Sequence, residues 1–224
     1  MADSSSGAAS ADNGVSAELD QNVAALESDF GLSEGFYRRL LQEDDWSFVV
    51  KLHALLEATM TSLLTAHFRD ARLQDLLARM EIGARAAGGK LSFASALGIL
   101  SQKDRRFVTM LAELKSELTS SLGHTKFSFT DYVAALDGDG RRRFLEAFAH
   151  GLGARVALED NPADRKAVVL EHAKLAIWST AMSCFGSMYV RTKADRRRIP
   201  NSEGASMEQH LAEFEQALSR LPAK

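Results

Sequence analysis

The sequence predicts an all-α fold, and three observations carry that expectation. Proline, the strongest helix breaker, occurs only at Pro162, Pro200 and Pro222 among 224 residues. Apolar residues recur at i, i+3, i+4 and i+7 through most of the chain. Strand-like alternation of apolar and polar residues never persists beyond four positions. The length fits one domain or two small ones, and the expected architecture is a single-domain helical bundle of about seven to nine helices over residues 17–224. A flexible acidic tail over residues 1–16 precedes it, because MADSSSGAASADNGVS has too little apolar surface to offset the entropy of ordering it.

A short helix is expected over 17–28, and a second from near Ser33 with Phe36, Tyr37, Leu40 and Leu41. From Asp45 to Phe68 the chain contains no Gly or Pro and places Val49, Leu52, Leu56, Met60 and Leu63 at helical spacing, the pattern of a central core helix. Gln74–Met80 reads as a shorter helix, and Gly83, Gly88 and Gly89 mark a connection before another over Leu91–Leu100. Ser101 with Asp104 three residues on forms a capping-box start. Phe107, Met110, Leu111, Leu114 and Leu118 then make one apolar stripe, with Gly123 as a left-handed stop after Leu122.

A short helix opens at Thr130 or Asp131, and the DGDG run at 137–140 separates it from a helix with Phe144, Leu145, Phe148, Leu152 and Val156. Asn161 before Pro162 places a cap residue ahead of a proline at the first helical position. This opens a long apolar helix through Trp178, loosened at Gly186. A basic run and a loop with Pro200 lead to a last amphipathic helix, capped by Ser206 with Gln209 and facing Leu211, Phe214, Leu218 and Leu221 inward. No repeat of 20 to 50 residues is evident.

The formal net charge of -3 has a local origin. Asp3, Asp12, Glu18, Asp20 and Glu27 are the only charged residues among the first 28, and without them 27 basic side chains face 25 acidic ones. Such a balance excludes a protein built to coat nucleic acid. The single cysteine, Cys184, excludes an intramolecular disulfide framework and an all-cysteine zinc site, and points to a reducing cytoplasm. The first 28 residues lack the basic and apolar regions of a secretory signal. Leu175–Val190, the most apolar long stretch, is shorter than the roughly 20 residues a membrane span needs and reads as a buried helix.

Motifs that carry chemistry are mostly excluded. Asp137-Gly138-Asp139-Gly140 resembles the start of a calcium loop, but Arg141 and Arg142 occupy the next two ligand-loop positions and repel a cation. No glycine pair has the GxxxxGK[ST] context of a phosphate loop. Met182, Phe185 and Met188 surround Cys184 with apolar neighbours, which makes it a structural thiol. Glu146 with His150, and Glu171 with His172, lack the Glu-x-x-His spacing of a dinuclear carboxylate site. No metal and no cofactor is expected.

Two basic clusters remain, Arg141–Arg143 and the set Arg191, Lys193, Arg196, Arg197 and Arg198. The second sits at a helix C-terminus, where the dipole favours cations, and is also a possible phosphate-contact patch. No recognition helix, zinc finger or aromatic platform accompanies it, so sequence-specific DNA reading by this chain is not expected.

Three segments together, HALLEATMTSLLTAHF at 53–68, GGKLSFASALGIL at 88–100 and FVTMLAELKSELTSSLGHTKFSFTD at 107–131, resemble the mannitol operon repressor family of small all-α bacterial proteins. The family-like core spans about 45–135. In that family the third segment carries an Arg-Asn pair, one residue, Phe-Ala-His, then Ser-Phe and an acidic residue. Here His124, Ser128, Phe129 and Asp131 fit, Thr119 and Ser120 replace Arg and Asn, and Leu122-Gly123 replaces Phe-Ala.

The resemblance implies a cytoplasmic, non-enzymatic regulatory protein that acts through a protein partner, assembles as a homodimer, engages nucleic acid weakly if at all, and has no membrane partner. The same constellation is similar to the site of HEPN-type helical ribonucleases, in which His transfers a proton and Arg stabilises phosphate charge. The alternative is therefore a HEPN-like endoribonuclease, or its inactive relative, in a toxin or defence system. His124 would be its centre, with Glu57 and Glu117 the acidic residues to locate beside it. Arg143 with His150 and Arg165 with His172, each with six intervening residues, are the other Arg–His pairings that spacing permits.

Overall fold

The computed structural model describes residues 21–83, 89–120, 126–152 and 162–197, with the backbone alone at 162–165, 196 and 197. The described residues form α-helices throughout and contain no strand: α1 (residues 21–29), α2 (Phe36–Arg39), α3 (Asp45–Phe68), α4 (Gln74–Arg79), α5 (Lys90–Ala96), α6 (Gln102–Thr119), α7 (Phe129–Ala135), α8 (Gly138–Phe148), α9 (Pro162–Glu171) and α10 (Ala173–Arg197). Short 3-10 turns at Leu40–Gln42 and Ala71–Leu73 extend α2 and precede α4. The expected tail over 1–16, Gly123, His124, Val156, Asn161, Arg198, Pro200 and the expected C-terminal helix lie outside the described residues.

The all-α expectation holds, with ten helices described where about seven to nine were expected. Part of the surplus comes from the apolar run after Pro162, which forms two helices: α9 ends at Glu171 and α10 begins at Ala173. Gly186 does not loosen the second one, which runs unbroken through it. The basic run lies at the C-terminal end of a long helix as expected, with Arg191, Lys193, Arg196 and Arg197 in the last turns of α10.

Two long helices form the centre. α3 packs most extensively on α10 and also on α6 and α4. Phe48, Val49, Leu52, Leu56, Met60 and Leu63 along α3 are buried, which places it in the middle of the bundle rather than at its surface. By length and composition α3 alone among the described helices could cross a membrane, a test that core helices also pass, and most of its apolar window is buried here.

Local chemistry sets the helix ends. The Asp44 carboxylate accepts from the Ser47 N–H at 2.9 Å and opens α3. Ser101 and Asp104 make the reciprocal capping box that opens α6, whose stripe of Phe107, Met110, Leu111, Leu114 and Leu118 is buried as expected. The DGDG run does not separate two helices. Asp137 accepts from the Gly140 N–H at 2.7 Å, so Gly138-Asp139-Gly140 form the first turn of α8.

α2 starts at Phe36 rather than Ser33 because the buried Glu27 carboxylate caps it, accepting from the Gly35 N–H at 2.8 Å and the Tyr37 N–H at 2.9 Å. α5 ends at Ala96, before the expected Leu100, because Gly98 turns left-handed at φ 65°. Ile99 and Leu100 nevertheless remain buried.

Aromatic rings thread the core in one chain. Tyr37, Phe185, Phe107, Phe148, Phe144, Tyr132, Phe127, Phe129 and Phe48 follow one another with ring centroids 4.8 to 6.4 Å apart. Most meet edge to face or tilted, the arrangement favoured by the ring quadrupole. They join α2, α3, α6, α7, α8 and α10, so the position of α6 relative to both long helices is fixed by packing.

Candidate functional site

α6 separates two clefts of opposite chemistry. Its apolar stripe turns toward the core, which leaves Gln102, Arg105, Arg106 and Thr109 on a flank at helical spacing. Arg143 and Glu146 of α8 face that flank, and Leu91 and Ser95 of α5 close the end. The resulting cleft has a volume of about 390 Å³. Three arginines line it against one glutamate.

Two of those arginines have internal partners. Arg143 pairs with Glu113, and Arg106 lies 3.8 Å from Glu146. The Arg106–Glu146 pair is about half exposed on both sides and contributes only about 0–1 kcal/mol, whereas Glu113 beside Arg143 is 19% exposed. An external anion can therefore take over the Arg106 guanidinium at small cost.

The second cleft, about 310 Å³, lies between α3, α6 and residues Glu81–Gly83. His53 and Glu57 of α3 face Glu113, Lys115, Ser116 and Thr119 of α6 across it. His53 is 6% exposed. Burial, with Lys115 and Lys90 nearby, lowers its pKa to about 4, so the ring is neutral near pH 7. Among the described residues no arginine lines this cleft, and no histidine lines the arginine cleft.

A third concavity, about 550 Å³, opens on the other side of Glu57, between α1, α3, α4 and α10. His53, Glu57, Thr61 and Thr65 form a row at four-residue steps along α3 that explains how one helix serves both sides. Each step advances about 40° around the helix. The row thus turns from the α6 side at His53 to the α1 and α4 side at Thr65, and Glu57 borders both spaces.

The expected site residues do not all converge. Glu57 is half-buried, and its backbone carbonyl accepts from the Thr61 hydroxyl at 2.9 Å and from Lys90 Nζ at 3.4 Å. Glu117 is exposed on α6 beside Tyr132 instead, where burial first and Glu117 second raise the phenol pKa to about 12. Arg143 lines the arginine cleft but His150 does not, and both His150 ring nitrogens are buried without a partner among the described residues. Burial lowers the His150 pKa. Arg165 is described by its backbone alone.

In the α10 basic cluster, Arg191 donates to the Ile99 carbonyl at 2.7 Å. Lys193 pairs with Asp29 at 2.9 Å and lies over the Tyr189 ring. Both therefore have internal partners, while Arg196 and Arg197 are placed by backbone alone. Cys184 is buried, and burial together with the nearby Asp104 carboxylate holds its pKa far above the ordinary value. Among the described residues no group of three His, Cys, Asp or Glu side chains is arranged to hold a metal ion.

Sequence reasoning singled out Glu57 but not His53, Arg105 or Arg106. A signal for His53 existed: a histidine opening a polar row, His53, Glu57, Thr61 and Thr65, at four-residue spacing on a mostly apolar helix. Comparison with protein-family models, curated proteins and solved structures finds no match to this chain.

Proposed function

We propose that this chain is a non-enzymatic regulatory protein that acts by binding a protein partner, and that it holds an acidic segment of that partner in the arginine cleft between α5, α6 and α8. The observation that carries this reading is the convergence of Arg105, Arg106 and Arg143 on one cleft whose lining, among the described residues, contains no histidine or cysteine. Guanidinium groups match carboxylates in fork geometry, and a cleft with three arginines whose described lining offers only Glu146 as an acid or base fits recognition better than catalysis. The three segments that resemble the mannitol operon repressor family support the same reading, with a cytoplasmic location and a homodimer as its further terms.

The test is affinity capture from the native host with the full chain and with the double variant Arg105→Glu, Arg106→Glu, with light-scattering sizing of each eluate. A stoichiometric protein partner retained by the native chain, lost with the double variant and released by salt, supports the proposal. Metal-independent RNA cleavage by the purified chain that disappears in His124→Ala would replace it with the HEPN-like reading. Capture that is indifferent to the double variant would remove the arginine cleft from the interface.

A further inference from the structure

The cavity between α1, α3, α4 and α10, about 550 Å³, falls in the size range of small-molecule sites. Its wall includes Lys90, the first residue of α5, which is 1% exposed. An ammonium group has three donors. The one hydrogen bond the Lys90 ammonium makes within the described residues is long, 3.4 Å to the Glu57 carbonyl. A charge buried with so little compensation is disfavoured, and burial lowers the Lys90 pKa while Glu57 acts in the opposite sense.

A second unmet group lies farther along the same wall. Thr65 Oγ1 is buried without a partner among the described residues. Thr65 follows Glu57 by two helical turns, so the two polar ends stand about 12 Å apart along the α3 axis. Asp75 also lines the cavity, and it belongs to the Thr65 end because α4 begins only six residues after Phe68 closes α3. Leu26, Phe30 and Ala58 supply apolar wall.

We infer that this cavity binds a small, extended amino carboxylate, with its carboxylate on Lys90 and its ammonium at Asp75 and the Thr65 hydroxyl. A simple anion on Lys90 would not engage the Asp75 carboxylate at the far end, and a simple cation at Asp75 would leave Lys90 unmatched. A zwitterion satisfies both ends. This site goes beyond partner binding and does not depend on it.

The experiment is calorimetric titration of the full chain with 6-aminohexanoate, hexanoate and hexylamine. The expected result is saturable binding of 6-aminohexanoate, with the two singly charged compounds at least about tenfold weaker, since a hydrogen bond to a charged group is at stake at each end. Lys90→Met keeps the length of the side chain, removes a buried charge, and is expected to melt no lower than the native chain while losing binding at least about tenfold. Asp75→Asn, at an exposed position of a short helix, carries the same test if Lys90→Met fails to fold. Absence of saturable 6-aminohexanoate binding, equal binding of hexanoate, or unchanged affinity in either variant would overturn the inference.

Discussion

Replacing Gly151 by Ala tests a close backbone approach between the turn after α8 and α10. An added Cβ would stand 2.3 Å from the Thr180 Cα and 2.4 Å from the Thr180 nitrogen, and backbone atoms cannot move aside by changing rotamer. Carbon contacts relax near 3.5–4.0 Å, so the turn after α8 would have to withdraw from α10 by about 1 Å or more. That withdrawal stretches three hydrogen bonds at once. Thr180 Oγ1 donates to the Phe148 carbonyl at 2.8 Å, Ser179 Oγ donates to the Gly151 carbonyl at 2.8 Å, and the Gly151 N–H donates to Thr180 Oγ1 at 3.3 Å.

Overpacking costs about 1–3 kcal/mol, and each weakened hydrogen bond adds up to about 1 kcal/mol. The expected loss is therefore about 3–5 kcal/mol, near the upper end for a single substitution. Urea unfolding followed by circular dichroism measures it. Gly138→Ala is the internal control, because an added Cβ there meets nothing within 4 Å and the site lies in the first turn of α8. It should be neutral or stabilising by up to about 1 kcal/mol. A Gly151→Ala chain within about 1 kcal/mol of the native one, at unchanged m-value, would refute the reasoning.

Two further predictions concern buried polar groups. The folded pKa of His53, about 4, lies below its ordinary 6.5, so the unfolded chain takes up the proton first. The stability this protects is complete above about pH 6.5 and is lost as pH falls toward 4, by up to about 3 kcal/mol. Urea midpoints at pH 7.5 and 4.5 should therefore diverge less in His53→Met than in the native chain, and equal divergence would place the titrating group elsewhere. Glu27→Ala leaves the buried Tyr37 N–H and the half-buried Gly35 N–H without their acceptor and should cost about 2–4 kcal/mol by thermal or urea melting. Glu27→Gln, whose amide oxygen can still accept, should lose less.

What the sequence made legible follows from where the physics is local. The Ser101–Asp104 capping box, the stripe from Phe107 to Leu118 and the limits of α3 depend on residues within a few positions of one another, and periodicity finds them. The start of α2 depends on Glu27, eight residues before Gly35, and no local rule anticipates that cap. DGDG was misread for a related reason. Glycines mark a turn in isolation, but an aspartate ahead of them that can accept from the third backbone N–H converts them into a helical first turn. Apolar composition likewise joined α9 to α10, since the break between Glu171 and Ala173 has no glycine or proline to announce it.

The candidate site was less legible because its parts are polar residues in apolar surroundings or arginines on a solvated flank. Arg105 and Arg106 read as ordinary exposed face until α8 brings Arg143 and Glu146 opposite them. Lys90 is buried with Leu91 and Ala94 of α5, and sequence offers no reason to expect a buried ammonium there.

α3 resolves the apparent contradiction between a helix apolar enough to pass for a membrane span and a bundle with polar spaces at its centre. Its apolar residues are needed to pack α10, and they occupy most of its circumference. The row of His53, Glu57, Thr61 and Thr65 is a narrow polar stripe beside them, and four-residue spacing is what makes it useful. A three-residue step would turn each residue about 60° the other way and scatter the row faster, whereas steps of about 40° keep successive side chains adjacent while they cross from one cleft to the other. Glu57 is consequently the one residue common to both, with the His53 ring on one side and Lys90 on the other. A change at Glu57 should therefore be felt in both spaces, whereas Thr65→Val should alter only the Lys90 cavity. A double-mutant comparison of His53 titration and 6-aminohexanoate binding in Glu57→Gln and Thr65→Val reads that difference directly, and equal effects of the two substitutions on His53 would contradict the geometry.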